Sequence, residues 1–303
     1  MADGIKIGNL DISAFKVGSY DCKVYLGDVK VYPRSIETRV VATFNVTDTS
    51  NPTQIGYDEY ISGFSAIEID GVVQPSVVSA YTFSTTGEHT VKYTLTDPTS
   101  ISDHVFRDCS GLTSVVIPNN VANLGEYTFY NCSGLTSINI PSGVTSIGWS
   151  VFYNCSSLTS IDIPSGVTSI GDSAFMGCSG LTNIDIPNSV TNIGSAVFYN
   201  CSGLRSIIIP DSITEIKMNT CAYCSGLTSI NIPSGVTSIG FMAFSDCKSL
   251  TGITCLAVTP PSLESSVFFS TNSCPIYVPS GSVNAYKAAS SWSSYTSRIQ
   301  AIP

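Results

Sequence analysis

Apolar residues recur along the central part of the chain at a constant interval of 23 residues. The clearest column is formed by cysteines, each followed three positions later by leucine: Cys109, Cys132, Cys155, Cys178, Cys201, Cys224 and Cys247. The stretch CSGLTSINIPSGVTSIG even occurs twice, at 132–148 and 224–240. Repetition at such a period predicts a solenoid, because one turn cannot bury its own apolar side and stacked turns can.

Each repeat contains the pattern L-x-x-I-x-I-P, which predicts a short strand. Its two isoleucines are two positions apart and therefore point to the same side of the strand. The proline can end the strand, where a missing N–H is tolerated. A shorter stretch, V-T-S-I-G, predicts a second edge with glycine at the corner. Phenylalanines complete the repeat, from Phe106 to Phe244, so stacked turns are expected to bury columns of identical residues.

The full pattern, C-x-x-L-x-x-I-x-I-P-x-x-V-x-x-I-G-x-x-[AV]-F, resembles the BspA-type leucine-rich repeat over residues 98–256. This resemblance implies an elongated, curved, right-handed solenoid that is used for adhesion and protein binding rather than catalysis. One turn, 201–223, departs from the pattern, because Lys217 replaces the corner glycine and Cys221 replaces the phenylalanine. We expect that turn to pack less regularly than the others.

The fold class is therefore mainly β, with small all-β segments before the solenoid. Residues 1–33 predict a β-hairpin attachment unit, because alternating residues flank Gly27-Asp28. Residues 34–97 predict a small immunoglobulin-like module. Its role would be to cover the open N-terminal end of the solenoid. Three strands are expected in it, at 38–47, 65–73 and 89–96.

Residues 257–303 are expected to form a C-terminal cap in which the period is lost. The segment 276–279 predicts a last strand, and Ser282 is placed to cap a helix that runs toward Trp292. This arrangement is similar to the cap that follows BspA-type repeats.

Composition and charge narrow the range of partners. The 303-residue chain has a formal net charge of -9 and a pI near 4.5. An acidic chain does not favour nucleic-acid binding, which needs clustered lysine and arginine. No run of 18 apolar residues predicts a membrane span. The N-terminus shows no secretory signal pattern, so we expect synthesis in the cytoplasm and a later location in a virion or outside the cell.

The opening segment, KIGNLDISAFKVGSYDCKVYLGDVKVYP, resembles the N-terminal segments of structural proteins from phages and prophages of gut Bacteroides. The resemblance implies display on a virion, with residues 1–33 contacting other virion subunits. Two alternatives remain open: a surface or secreted adhesin of a gut bacterium, and a structural spacer without a ligand. A homo-oligomer is compatible with all three.

The residues suited to catalysis are few. The sequence holds two histidines, His89 and His104, and we expect both to be solvated surface residues. Cys221 and Cys224 have the spacing of a metal knuckle or a redox pair, but the repeat places both in the core. The seven cysteines of the repeat column, which we call the ladder cysteines, are expected to be free, buried thiols. The states of Cys22 and Cys274 stay open. No catalytic motif is present, so we expect neither an enzyme nor a cofactor or metal.

Two exposed rows are candidates for partner binding. One row lies between the two inward columns of the predicted strands: Val116, Asn139, Asp162, Asp185, Ile208 and Asn231. There Asp162 and Asp185 would be stacked neighbours, either simply hydrated or relieved by a cation or a basic partner. The other row follows the corner glycine: Glu126-Tyr127, Trp149-Ser150, Asp172-Ser173, Ser195-Ala196, Met218-Asn219 and Phe241-Met242.

The second row varies freely between turns, whereas the core columns do not. It also carries large apolar residues of the kind that are enriched at interfaces: Trp149, Met218, Phe241 and Met242. We therefore expect a partner on a target cell surface, either a protein or a glycan, to contact this row.

Overall fold

The computed structural model describes residues 38–303, together with the backbone of four short strands between residues 6 and 31. The chain is divided into two compact units, residues 1–37 and residues 38–303. In the first unit, β1 (Lys6–Ile7) pairs antiparallel with β2 (Leu10–Asp11), and β3 (Val24–Leu26) pairs antiparallel with β4 (Val29–Val31). The pairing of β3 with β4 confirms the predicted hairpin. Cys22 lies outside the described residues.

The segment before the repeats, residues 38–97, which we call the capping segment, contributes antiparallel strands to two sheets, one of which is the separate pair of its second and fifth strands. Its elements are β5 (Arg39–Val46), β6 (Thr53–Gln54), a 3₁₀ helix (Ile61–Gly63), β7 (Phe64–Ile69), β8 (Val72–Val73), β9 (Ala80–Tyr81) and β10 (Gly87–Leu95). The three predicted strands are confirmed as β5, β7 with β8, and β10. Strand β10 lies between β5 and β7, and it alternates buried and partly exposed residues, as expected for a sheet with one face on a core.

The solenoid that follows consists of very short strands. In chain order these are β11 (Ser100–Ile101), β12 (Leu112–Val116), β13 (Asn123–Leu124), β14 (Ser137–Ile138), β15 (Ser146–Ile147), β16 (Ser169–Ile170), β17 (Asn183–Asp185), β18 (Asn192–Ile193), β19 (Ser206–Ile208), β20 (Glu215–Ile216), β21 (Ser229–Ile232), β22 (Ser238–Ile239), β23 (Gly252–Cys255), β24 (Ser262–Leu263), β25 (Ile276–Val278) and β26 (Ile299–Ala301). They form two sides of each turn, and the third side is a run of tight turns. The predicted fold class, a mainly β repeat solenoid with a short C-terminal helix, is confirmed.

The N-terminal end of the repeat sheet is covered by the preceding segment. Strand β12 pairs antiparallel with β5, with Val115 opposite Ala42, and parallel with β14 on its other edge. The first repeat strand therefore has no open edge that another chain could pair with. One sheet thus crosses residue 97, and the domain boundaries at 33, 97 and 256 stay predictions.

The first side of the solenoid carries the L-x-x-I-x-I strands in parallel. Residues 23 apart are partners, as in the pairing of Ile184 with Ile207 and of Ile230 with Ile253. One turn, around residue 162, keeps only an isolated bridge from Asp162 to Asp185. The sheet therefore continues in two parts, one before and one after that turn.

The second side is interrupted in two places. Parallel pairs join β15, β16 and β18, and separately β20, β22 and β24. One of these breaks falls between β18 and β20, in the turn where Lys217 occupies the corner, and there the Lys217 ammonium donates instead to the Asn192 side chain (2.9 Å). The expected irregularity of this turn is thus located on its second side.

The interior consists of identical residues stacked on one another. The rings of Phe106, Phe129, Phe152, Phe175 and Phe198 follow with centroids 5.4 to 5.8 Å apart and planes within 10° of parallel. Cys221 interrupts this column before it resumes between Phe244 and Phe268. The ladder cysteines are buried and free, as expected, and the Cys132 thiol donates to the Phe106 carbonyl (3.0 Å). Cys274 is also buried and free.

At the C-terminus the prediction that the period is lost was wrong for the first side. Ile253, Ile276 and Ile299 are 23 residues apart and pair in register. The period fails on the second side, where the distance from Ile239 to its partner Leu263 is 24 residues. Phe268 likewise follows Phe244 by 24 residues, so one extra residue on the return path is offset by one residue fewer before Ile276, and the parallel sheet keeps its register.

The cap consists of short helices. They are a 3₁₀ helix (Ser280–Ser282), α1 (Val283–Ala288) and a second 3₁₀ helix (Ser290–Tyr295). Ser282 precedes α1 as predicted, but its side chain makes no capping hydrogen bond, because its own backbone is already helical. The Tyr286 hydroxyl and the Trp292 indole close the core by donating to the carbonyls of Ala257 and Pro261. None of the helices in the described part of the chain is long and apolar enough to span a membrane.

Candidate binding surface

The corner after each second-side strand has the same backbone conformation in successive turns. Its second residue has φ between 52° and 57° without being glycine: Tyr127, Ser150, Ser173, Ala196, Asn219 and Met242. L-residues rarely adopt this left-handed conformation, and hydrogen bonds to the next turn hold it here. The Tyr127 amide, for example, donates to the Trp149 carbonyl (3.0 Å). Because backbone bonds recur at the corner, its side chains can vary, although some of them add a bond of their own: the Asp172 carboxylate accepts from the Ser195 amide (2.8 Å).

Trp149 lies at the end of a row of aromatic rings on this side of the solenoid. Ring centroids are 6.0 Å apart from Tyr57 to Tyr60, 4.6 Å from Tyr60 to His104, 4.6 Å from His104 to Tyr127 and 5.9 Å from Tyr127 to Trp149. We call these five residues the aromatic row. Trp149 is 49% exposed, and the other four are half-buried. The row joins the capping segment to the first two full turns of the solenoid.

A second pair of rings widens this surface. Tyr130 stacks on Tyr153 with centroids 4.5 Å apart, and it lies 5.7 Å from Tyr127. The Arg107 guanidinium is 5.4 Å from the ring centre of Tyr57 and 5.0 Å from that of Tyr130, within the range of cation–π attraction. Burial, followed by the neighbouring Tyr153, raises the pKa of the Tyr130 hydroxyl, which is protonated at neutral pH even at its ordinary pKa of 10.

The prediction that His104 is a solvated surface residue was wrong. The imidazole is half-buried and stacks on Tyr127 with an angle of 5° between the rings. Burial, and then the positive charge of Arg107, lower the pKa of His104, which favours the neutral ring. Its Nδ1 atom is buried and has no hydrogen-bond partner within the part of the chain that the structure describes. A neutral, stacked histidine contributes to the aromatic row as a flat ring rather than as a charge.

His89 is likewise not the exposed residue that the sequence predicts. It is buried, its Nδ1 is 2.6 Å from Asp70 Oδ2, and its Nε2 is 2.9 Å from the Thr85 carbonyl. The tight turn at Asp70-Gly71 brings the carboxylate under the neighbouring strand, which the linear sequence does not reveal. Both ring nitrogens are thus used to hold the capping segment together.

The remaining predicted corner residues form a separate patch. Met218 is 46% exposed, and Phe241 and Met242 are half-buried one turn further along. The two turns between them and Trp149 present Asp172 and Ser195 at the same corner position. The structure therefore does not bring Trp149 together with Met218, Phe241 and Met242.

The row on the first side lies on a different surface. Its members are exposed, and Asp162 and Asp185 are bridge partners, as predicted for stacked neighbours. The Asn139 side chain is engaged with the previous turn, because its Oδ1 accepts from the Ile117 amide (3.2 Å). Between residues 38 and 303, no group of three histidine, cysteine, aspartate or glutamate side chains is arranged to hold a metal ion.

Sequence reasoning missed most of the aromatic surface. Tyr130 and Tyr153 are one repeat apart, so a tyrosine column could have been read from the 23-residue period. Tyr57 and Tyr60 precede the repeats, and no local signal places them beside His104. Their position results from the backbone bond that Tyr57 donates to the Val105 carbonyl (3.0 Å).

Comparison with known proteins agrees with the repeat architecture. The model of the BspA type leucine rich repeat region matches residues 99–228 and 214–300 in six copies, which is more than half of the chain and extends past residue 256. No curated protein sequence matches significantly.

Several solved structures are similar to the chain, and two of them are from T. pallidum and Bacteroides ovatus. A leucine rich repeat protein from T. pallidum is 30% identical, with 50% of this chain and 71% of that chain covered and a TM-score of 0.48. One from Bacteroides ovatus is 26% identical, with 67% and 62% covered and a TM-score of 0.49, so the chain spans less than two thirds of that relative. Given the extent of the family match, the chain belongs to the BspA-type leucine-rich repeat family.

Proposed function

We propose that the protein is a non-enzymatic recognition protein that binds a protein or glycan on a target cell surface. Membership in the BspA-type family indicates a protein-binding or adhesin-like role, and proteins of this family are generally not enzymes. The observation that carries our proposal is the aromatic row, which continues through Tyr130 and Tyr153. The row would be the contact surface.

The chemistry of this surface suits recognition. Stacked rings are held rigidly by their neighbours, so little conformational entropy is lost when a partner packs on them. Tyrosine and tryptophan offer an apolar face and a polar edge, and together with arginine they carry most of the binding energy at many interfaces. Arg107 lies between Tyr57 and Tyr130 and adds a positive charge that Asp108, 3.3 Å from its Nε, offsets in part.

Binding to immobilised mucin and to fixed bacterial cells would test the surface. On whichever of the two targets retains the wild-type protein, we expect Tyr127→Ala to reduce the retained protein about tenfold, as is typical for an aromatic anchor at an interface. Met218→Ala is the control, because it removes an exposed apolar side chain from the same side of the solenoid, outside the aromatic row. If a target that retains the wild type retains both variants equally, the aromatic row is not the contact surface.

We further propose that the protein is displayed on a phage virion, with residues 1–33 attached to other virion subunits. The resemblance of the opening segment to phage structural proteins supports this proposal. Mass spectrometry of purified particles from a lysogen that carries the gene would detect the chain among the virion proteins. Finding it only in the cell envelope or the culture medium, outside particles, would instead favour a cellular adhesin.

A further inference from the structure

An open groove lies at the C-terminal end of the solenoid, far along the chain from the aromatic row. It has a volume of about 1040 Å³ and opens between the loop 266–275 and the segment 294–300. This volume is at the upper end of the range for small-molecule sites in proteins. The aromatic row does not contribute to its lining, so this groove is independent of the proposed function.

The charge of the groove is opposite to that of the chain. Arg298 and Lys248 line it, and none of the described lining residues is an aspartate or glutamate, although the formal net charge of the chain is -9. Asp246 lies 3.6 Å from the Lys248 ammonium and offsets part of its charge. Arg298 has no such acidic partner among the described residues, so the groove keeps a net attraction for anions.

Arg298 is held in place before any ligand arrives. Its Nε donates to the Cys274 carbonyl (2.7 Å), and its Nη2 donates to the Thr271 hydroxyl (3.0 Å). The guanidinium also lies 5.6 Å from the ring centre of Tyr295. Among the described residues, Nη1 has no hydrogen-bond partner. A fixed guanidinium with a remaining N–H group is suited to a carboxylate, because less side-chain entropy is lost on binding.

The rest of the lining has the character of a sugar site. Hydroxyl and amide side chains dominate it, including Ser270, Asn272 and Gln300. These groups both donate and accept hydrogen bonds, as sugar hydroxyls do. Phe269 is 60% exposed and offers an uncommitted ring face for the C–H groups of a pyranose.

We propose that this groove binds a saccharide that carries a carboxylate. The anionic group would be placed at Arg298, with Lys248 adding longer-range attraction, and the ring hydroxyls would exchange hydrogen bonds with the serine, asparagine and glutamine side chains. The exposed face of Phe269 would pack against the sugar ring.

The test uses the full chain, with N-acetylneuraminic acid as the probe and its methyl ester as the neutral counterpart, and measures affinity by ligand-observed NMR. We expect saturable binding of the acid that weakens with added salt, and at least tenfold weaker binding of the ester. Equal binding of acid and ester, or no saturable binding of the acid, would overturn the proposal. A glutamate hexapeptide that binds more tightly and displaces the sugar would overturn it as well.

Variants locate the site. Lys248→Ala and Phe269→Ala change exposed side chains, and each should weaken binding about threefold to tenfold. Arg298→Ala should abolish it, provided that the folded state survives the loss of the bonds to Cys274 and Thr271. Lys287→Ala removes a matched charge outside the groove and should leave affinity unchanged, as should Trp149→Ala. If Lys248→Ala and Phe269→Ala bind the acid as tightly as the wild type and the two controls do, the groove is not the site.

Discussion

The phenylalanine column and the corner row follow the same 23-residue period, but they differ in what the period preserves. In the column, Phe106 to Phe198 are identical, fully buried and nearly parallel. In the corner row, the backbone conformation is preserved while the side chain changes from Trp149 to Asp172 to Ser195.

The difference follows from what holds each row in place. A ring in the column packs on the ring of the turn before and the turn after, so a change of shape disturbs both neighbours. The corner is held mainly by backbone hydrogen bonds to the next turn, supplemented in some turns by a carboxylate such as Asp172, which accepts from the Ser195 amide. The column therefore sets stability, and the corner is free to specify a partner.

The strongest way to test this contrast is to remove one ring from the column. Phe152 is fully buried, with its centroid 5.6 Å from that of Phe129 and 5.4 Å from that of Phe175. Phe152→Ala should lower the free energy of unfolding by about 3 to 5 kcal/mol, because it leaves a cavity between two rigid neighbours. Urea titration followed by circular dichroism measures the change. A loss of less than about 1 kcal/mol would contradict the assigned role of the column.

Two corner glycines, Gly148 and Gly171, differ in how much space a side chain would have. A Cβ on Gly171 would lie 2.8 Å from the Gly148 carbonyl carbon and 2.9 Å from the Trp149 amide nitrogen, whereas a Cβ on Gly148 would meet nothing closer than 3.5 Å. We expect Gly171→Ala to cost about 1 to 3 kcal/mol through backbone displacement, and Gly148→Ala less than about 1 kcal/mol. Equal unfolding midpoints for the two variants would mean that adjacent corners are not packed as described.

The capping segment should show a pH-dependent contribution. Burial opposes a charge on His89, but its hydrogen bonds to Asp70 and to the Thr85 carbonyl outweigh this effect and raise its pKa above 6.5. Because the pKa of His89 is higher in the folded state than in the unfolded state, the charged ring stabilises the fold below pH 6.5. This contribution is lost as the pH rises through the folded-state pKa.

The unfolding free energy of the wild type should therefore decrease between about pH 6 and pH 8, and Asp70→Asn should reduce this decrease. The exposed Asp211 supplies a control, since Asp211→Asn should leave the slope as it is. An unchanged slope in Asp70→Asn would rule out the His89–Asp70 pair as its source.

The smallest effect is expected on the first side. Asp162 and Asp185 are bridge partners and both are exposed, so their repulsion is weak and screened by salt. Asp162→Asn should raise the melting temperature slightly at low salt, and the gain should shrink at high salt. Asn139→Asp adds a charge beside this pair and should therefore lower the melting temperature at low salt. A gain that does not depend on salt would exclude charge repulsion as its cause.

The repeat architecture could be predicted from the sequence because each column repeats one residue type at one interval. The strands, the buried cysteines and the covering of the N-terminal end follow from that pattern and from the hydrophobic alternation before it. At the C-terminus the same period continues on the first side, where Ile276 and Ile299 keep the 23-residue spacing although the second side has one extra residue.

The candidate binding surface could be predicted only in part. Trp149 was identifiable from the variable corner, but its neighbours are brought to it by long-range pairing. His104 and Tyr60 belong to segments with no shared period, and their contact depends on how the capping segment packs on the first turn. His89 was misassigned for the same reason, because Asp70 approaches it across the sheet.

The central claim is that the corner recognises a partner and the column does not, and the measurement that tests it most directly is target binding by folded Trp149→Ala. Its unfolding free energy should lie within about 1 kcal/mol of the wild type, because the side chain is half exposed. Its affinity for the mucin or cell-surface target should fall about tenfold or more. Wild-type affinity in the folded variant would contradict the claim.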